Sequence, residues 1–323
     1  MTTLTTRGLR TASLFQRAHS TSFQPQFLSS QLSLQFRPAS SSAATSSSTA
    51  PLRSPLNGPL STLPASLALP IRSEHESTFK YLLALGKAYA NFYKTGGKHI
   101  FTNFRASQPI QALIDNEYRG SIRSAVSSGA LSRSDFQLLY RSWHDVKRVP
   151  IFALVFIICG EFTPLVVIAL SNVVPWTCRI PKQIDSDRKK LEDRRRISFR
   201  NLTTAPPEKA GVEGLERQQL VHISWSLGLS SSIWDWLGGK YPGLPNAILR
   251  RKVRNTVEYL EMDDGLIGKP HRVKELETEE VRMALVERGV DILGKSEEKL
   301  RVDLIAWLQS RQKAPVEQLL LTR

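Results

Sequence analysis

Glu161 is the residue of this sequence whose chemistry is easiest to name. Between Arg148 and Arg179 it is the only charged side chain, and it sits one helical turn before Pro164 in an otherwise apolar run. A carboxylate at mid-bilayer costs about 2.5–3.5 kcal/mol on insertion scales, so it faces a partner or a water-filled path. Pro164 leaves the carbonyl of Gly160 without its helical donor. Together Glu161 and Pro164 offer an intramembrane place for a proton or a cation, and ion exchange is the chemistry they imply. A protonated Glu161 bonded to a neighbouring helix is the equal alternative. One helix per chain forms no pathway alone, so exchange requires a homo-oligomer.

The second available chemistry is phosphate contact. Lysine and arginine number 44 against 29 aspartates and glutamates, a formal charge of +15 that favours RNA or anionic lipid as partner. Arg250, Arg251, Lys252 and Arg254 crowd the start of a helix, where cations oppose the helix dipole. Lys274, Arg282, Arg288, Lys299 and Arg301 follow near the C-terminus. A face built from these nine would bind a phosphate backbone electrostatically, although ordinary solvation explains each residue individually. The runs Arg188-Lys189-Lys190 and Arg194-Arg195-Arg196 read either as headgroup contacts or as a solvated helix, since Asp187, Glu192 and Asp193 are interspersed.

Enzyme chemistry finds no support. The 6 histidines lack metal spacing, no glycine loop cradles phosphate, and no nucleophile motif is present. Neither cofactor nor metal is expected, and no DNA partner. His222, on an apolar helix, reads as a core residue. Cys159 and Cys178 are too few for a disulfide framework.

The elements that would position these groups fall into five segments. Residues 1–73 combine arginine without lysine or acid, much serine, and an amphipathic start through Leu4, Leu9, Leu14 and Phe15. That is the composition of a mitochondrial transit peptide followed by a disordered serine-rich stretch. Residues 74–148 read as amphipathic helix, with Ser132 and Asp135 in capping-box register before the apolar face of Phe136, Leu139, Tyr140 and Trp143. Residues 149–174, from Pro150 as helix start to Pro175 as stop, make about 39 Å of helix, enough to span a bilayer. A buried hairpin around Gly160–Pro164 is the soluble alternative. Residues 175–214 read as a basic juxtamembrane stretch and linker, and 215–323 as a helical domain. Flanking charge is balanced, so the positive-inside rule gives no orientation.

Within that last domain, Val273-Lys274-Glu275-Leu276 reads as a helix opening, Ala284 to Gly289 as its glycine-capped end, and Ser296 as the cap of the next helix. Leu300-Arg301, Leu304, Trp307-Leu308, then Pro315 and Leu319-Leu320-Leu321 complete a pattern that resembles the ribosome-binding domain of the LETM family. Arg148-Val149-Pro150, Glu161 and Pro164 match the family's membrane entry approximately. The resemblance covers roughly residues 77–323. It implies a mainly α fold, with a single transmembrane helix followed by an all-helical 14-3-3-like ribosome-binding domain in the matrix. It also implies contact with the mitochondrial ribosome and inner-membrane lipids, with roles in respiratory-complex biogenesis or potassium/proton balance. A short member without coiled coil or EF-hand is expected. Asp263-Asp264-Gly265 lacks the alternating oxygen ligands of a calcium loop and reads as a turn.

Overall fold

The computed structural model describes residues 56–72, 77–159, 174–202, 211–230 and 244–322. Among them the regular elements are helical, and no strand is present. α1 spans Thr78–Glu117, α2 Ile122–Ser127 and α3 Arg133–Cys159. α4 follows at Pro181–Asn201, α5 at Arg217–Ser226 and α6 at Asn246–Ile267. α7 (Thr278–Glu287), α8 (Glu297–Arg311) and α9 (Val316–Leu321) close the chain.

Local chemistry sets the ends. The hydroxyl of Ser77 accepts from the Lys80 amide at the start of α1. At α3 the Ser132 hydroxyl accepts from the amide of Asp135, whose carboxylate accepts from the Ser132 amide in return, a complete capping box. Ser296 caps α8 through the Lys299 amide. Gly289, at φ 75°, ends α7 in the left-handed conformation that a side chain would strain. Val273–Leu276 does not open that helix as expected. Pro270–Glu275 is a 3-10 turn, and α7 begins only at Thr278.

The largest core is formed by α5 to α9, where Leu220, Ile223, Leu249, Val253, Leu260, Leu285 and Leu304 interdigitate. Burying each such side chain stabilises by about 1.5–3 kcal/mol. His222 belongs to this interior. Its Nε2 faces the Leu320 carbonyl at 3.2 Å and must donate, which leaves Nδ1 to accept from Ser198 at 2.8 Å and ties α4, α5 and α9 together. α4, which carries the basic runs, is therefore packed structure: Arg195 is buried, ion-paired to Glu192, and donates to the Ser226 carbonyl. Glu192 and Arg195 occupy an inward face while Lys189 and Lys190 stay exposed, a division that the charge run alone conceals.

Among the described residues a single transmembrane helix over 149–174 is not found; residues 160–173 lie outside them. The apolar run does not begin a helix at Pro150; that proline lies inside α3, which has already run from Arg133 and carries Arg141 and Asp145 on its buried face. Among the described residues no helix is long and apolar enough to cross a membrane. The two flanks of the run also meet. Phe152 packs against the buried cluster of Val174 and Cys178, and Asp145 accepts from the Trp176 amide at 2.6 Å and from Thr177. A straight helix over 149–174 would hold its ends about 39 Å apart. Glu161 and Pro164, on which the exchange chemistry depends, lie outside the described residues.

Residues 56–62, read above as part of a leader and serine-rich stretch, are built into the fold. Leu56 is buried in the main core. The Asn57 side chain donates to the Glu275 carbonyl and accepts from the Glu277 amide, 3.0 and 2.9 Å away, at the start of α7. A Cβ on Gly58 would come within 2.6 Å of the Arg141 guanidinium and 2.9 Å of the Glu280 carboxylate, so a larger residue here would have to displace that buried ion pair.

Candidate nucleic-acid interface

Two groups of charge, one buried and one exposed, share the helix α6. The buried group lies at its C-terminal end. Asp263 accepts from Arg133 of α3 at 2.7 Å and from Arg288 at 2.7 Å, and both arginines are fully buried. Asp264 accepts from Arg288 at 2.6 Å, from Arg311 at 3.0 Å and from the Trp307 indole at 3.2 Å. Glu280 of α7 accepts from Arg133 and Arg141 at 3.0 and 2.6 Å. Burial alone would raise the Asp263 carboxyl, but Arg133 and Arg288 outweigh it and hold it well below the carboxylate range. The same balance, with Arg141 and Arg133 winning over burial, lowers Glu280.

Asp263-Asp264-Gly265 is thus not a turn. It lies inside α6, because two adjacent carboxylates with three guanidiniums and an indole arranged around them are satisfied in a helix without a loop. Beside this hub, Glu287 has no arginine bonded to it among the described residues. It accepts from the Tyr259 hydroxyl at 2.9 Å, and burial, reinforced by the Asp263 charge, pushes its carboxyl up to about 7.

The nine basic candidates divide by their surroundings. Arg288 belongs to the buried hub, and with no surface it touches no external partner. Arg301 is a clamp: it bonds Glu297 and donates to the carbonyls of Val273 and Leu276 at 2.7 and 2.9 Å, fixing the turn before α7. Arg250 and Arg254 both pair with Glu213, and Arg250 also donates to the Leu215 carbonyl. Lys252 donates to the Leu229 carbonyl at 2.7 Å yet stays exposed. Arg282 and Lys299 are exposed beside Glu279 and Asp303, at 3.6 and 3.1 Å. Arg251 and Lys274 project to solvent with no ion pair among the described residues.

These residues do not form one face. Arg250, Arg251, Lys252 and Arg254 gather at the start of α6, whereas Lys274, Arg282, Lys299 and Arg301 gather where α7, α8 and the preceding turn meet. The first group gains members that the sequence pattern did not single out. Lys147 of α3 lies 4.3 Å from the ring of exposed Trp143, and burial together with the charges of Arg148 and Arg251 lowers its pKa. Cations pressed together beside an open aromatic ring suit a polyanion carrying stackable bases. Nothing in the local sequence links Lys147 to Arg251, because they lie about a hundred residues apart.

Residues 206–323 match the family model described as LETM1-like, RBD. They are a LETM-type ribosome-binding domain. Residues 78–224 match a second model, the pentamidine resistance factor domain, which overlaps the first over 206–224. No curated protein and no solved structure matches the chain. The buried hub now acquires a location: Arg133 and Arg141 lie in the region matched by the pentamidine resistance factor domain, while Asp263, Asp264 and Glu280 belong to the ribosome-binding domain. Residues 56–62 lie outside both matches and bond to both regions.

Proposed function

We propose that this chain binds the mitochondrial ribosome on the matrix side of the inner membrane and supports the biogenesis of respiratory-complex subunits there. The observation that carries this reading is the ribosome-binding domain at 206–323 together with its outward cations, Arg251, Lys252, Lys274, Arg282 and Lys299. Ribosomal RNA presents phosphate backbone and unstacked bases, and exposed lysine and arginine near Trp143 complement both. The arginine-rich, acid-free N-terminal sequence supports delivery to mitochondria.

The reading is tested by sedimenting the purified chain with mitochondrial ribosomes over a salt series. Binding at low salt that weakens as salt rises is expected, together with weaker binding when Lys147 and Arg251 are reversed to glutamate. Sedimentation without ribosomes at every salt concentration would refute it. For the wider role, depletion is expected to lower newly made respiratory subunits in the membrane; unchanged insertion would remove biogenesis and leave tethering alone.

A further inference from the structure

The 40-residue helix α1 carries a second basic surface, remote in sequence from the ribosome-binding domain. Lys80, Lys87, Lys94, Lys98 and Arg105 recur at intervals of 7, 7, 4 and 7 residues. At 3.6 residues per turn this places them within about 40° of one another along one edge of the helix. All five are exposed, the four lysines have no ion pair among the described residues, and α1 holds no carboxylate before Asp115. The inward face is separate and consists of Phe92, Gly96, Asn103, Ser107 and Ile114.

Between the cationic edge and the inward face runs an apolar strip of Phe79, Leu82, Leu83, Phe101 and Phe104, which are 43–75% exposed. Large apolar side chains at that exposure ask for a partner. Their neighbours determine its chemistry. A partner that meets a row of cations about 38 Å long and, directly beside it, a strip of phenylalanine and leucine must present anionic groups above hydrocarbon. Nucleic acid supplies the anions and could stack on Phe101 or Phe104, but it has no layer for Leu82 and Leu83.

We propose that α1 is an in-plane helix that docks on an anionic phospholipid surface. Its lysines meet the headgroups while Phe79, Leu83, Phe101 and Phe104 enter the acyl boundary. This surface is independent of ribosome contact, and either can fail without the other.

The experiment is flotation of the full chain with vesicles of phosphatidylcholine alone and of phosphatidylcholine with phosphatidylglycerol at 7:3. Wild type should float with the anionic vesicles and bind the neutral ones far more weakly. Replacing Lys80, Lys87, Lys94 and Lys98 by glutamine should weaken anionic-vesicle binding by about 100-fold or more, at about fivefold per cation near such a surface. Leu83→Asp with Phe101→Asp should abolish flotation on both compositions. Circular dichroism checks that each variant stays helical, as expected for changes confined to an exposed face. Equal flotation of wild type and the four-lysine variant would overturn the proposal, showing that another segment holds the lipid. So would a four-lysine variant that loses binding to a homopolymeric RNA while keeping its lipid affinity.

Discussion

The two halves of α6 use the same side chains for opposite ends. At its start, Arg251 and Lys252 reach solvent and Arg254 makes only an exposed pair with Glu213. At its end, Asp263 and Asp264 draw Arg133, Arg288 and Arg311 inward until two of the three guanidiniums have no surface. The difference lies in what surrounds the charge. A cation in water costs little and remains available to a partner; a buried one must be fully bonded, and removing either member of the pair leaves an uncompensated charge. The hub should therefore govern stability without governing binding, and the exposed cluster the reverse.

The sharpest way to break this comparison is Arg288→Met. It takes one of the two bonded guanidiniums from each of the buried carboxylates Asp263 and Asp264 and is expected to lower unfolding stability by about 3–5 kcal/mol in chemical denaturation, with ribosome affinity per folded molecule unchanged. Lost affinity in protein that is still folded would place Arg288 in the binding machinery and undo the division.

A smaller effect is expected at Glu287, the carboxylate beside the hub that has no bonded guanidinium among the described residues. Its folded pKa, about 7, stands above its ordinary value of 4.5. The folded state therefore favours the neutral acid. Stability from this group is fully present below pH 4.5, declines as pH rises toward 7, and is lost above it. Glu287→Gln should match wild type at low pH and exceed it by about 1–2 kcal/mol above neutrality. Equal stability at both ends of the range would show that the site does not desolvate the carboxyl.

The smallest effect belongs to Arg254→Ala. Its pair with Glu213 is exposed on both sides, and such pairs contribute little. Tm is expected to stay where it is in a thermal melt, while a fall of several degrees would show that the start of α6 also has a structural role.

Much of this was readable from residue types. The capping box at Ser132, the glycine end of α7, the Ser296 cap and the interior place of His222 follow from local rules, and the C-terminal motif pointed to the domain that residues 206–323 match. What stayed hidden depends on partners distant in sequence. Asp263-Asp264-Gly265 has the composition of a turn, and partners distant in sequence, among them Arg133, 130 residues earlier, explain why it remains helical. The leader-like composition of 1–73 hid Asn57, whose partners lie 218 and 220 residues away. Hydropathy identified the run after Val149 but not that its flanks return to one another through Asp145 and Phe152. Charge counting named Arg288 and Arg251 together, because burial separates them and sequence does not display it.

The most direct test of that separation is the salt dependence of ribosome binding for wild type and for the double variant Lys147→Glu, Arg251→Glu. The double variant should bind at least about tenfold more weakly at low salt and show a shallower decline of log affinity with log salt, because fewer phosphate contacts release counterions, while its melting temperature is unchanged. The same affinity and the same slope in both proteins would contradict the assignment of the exposed cluster to ribosome contact.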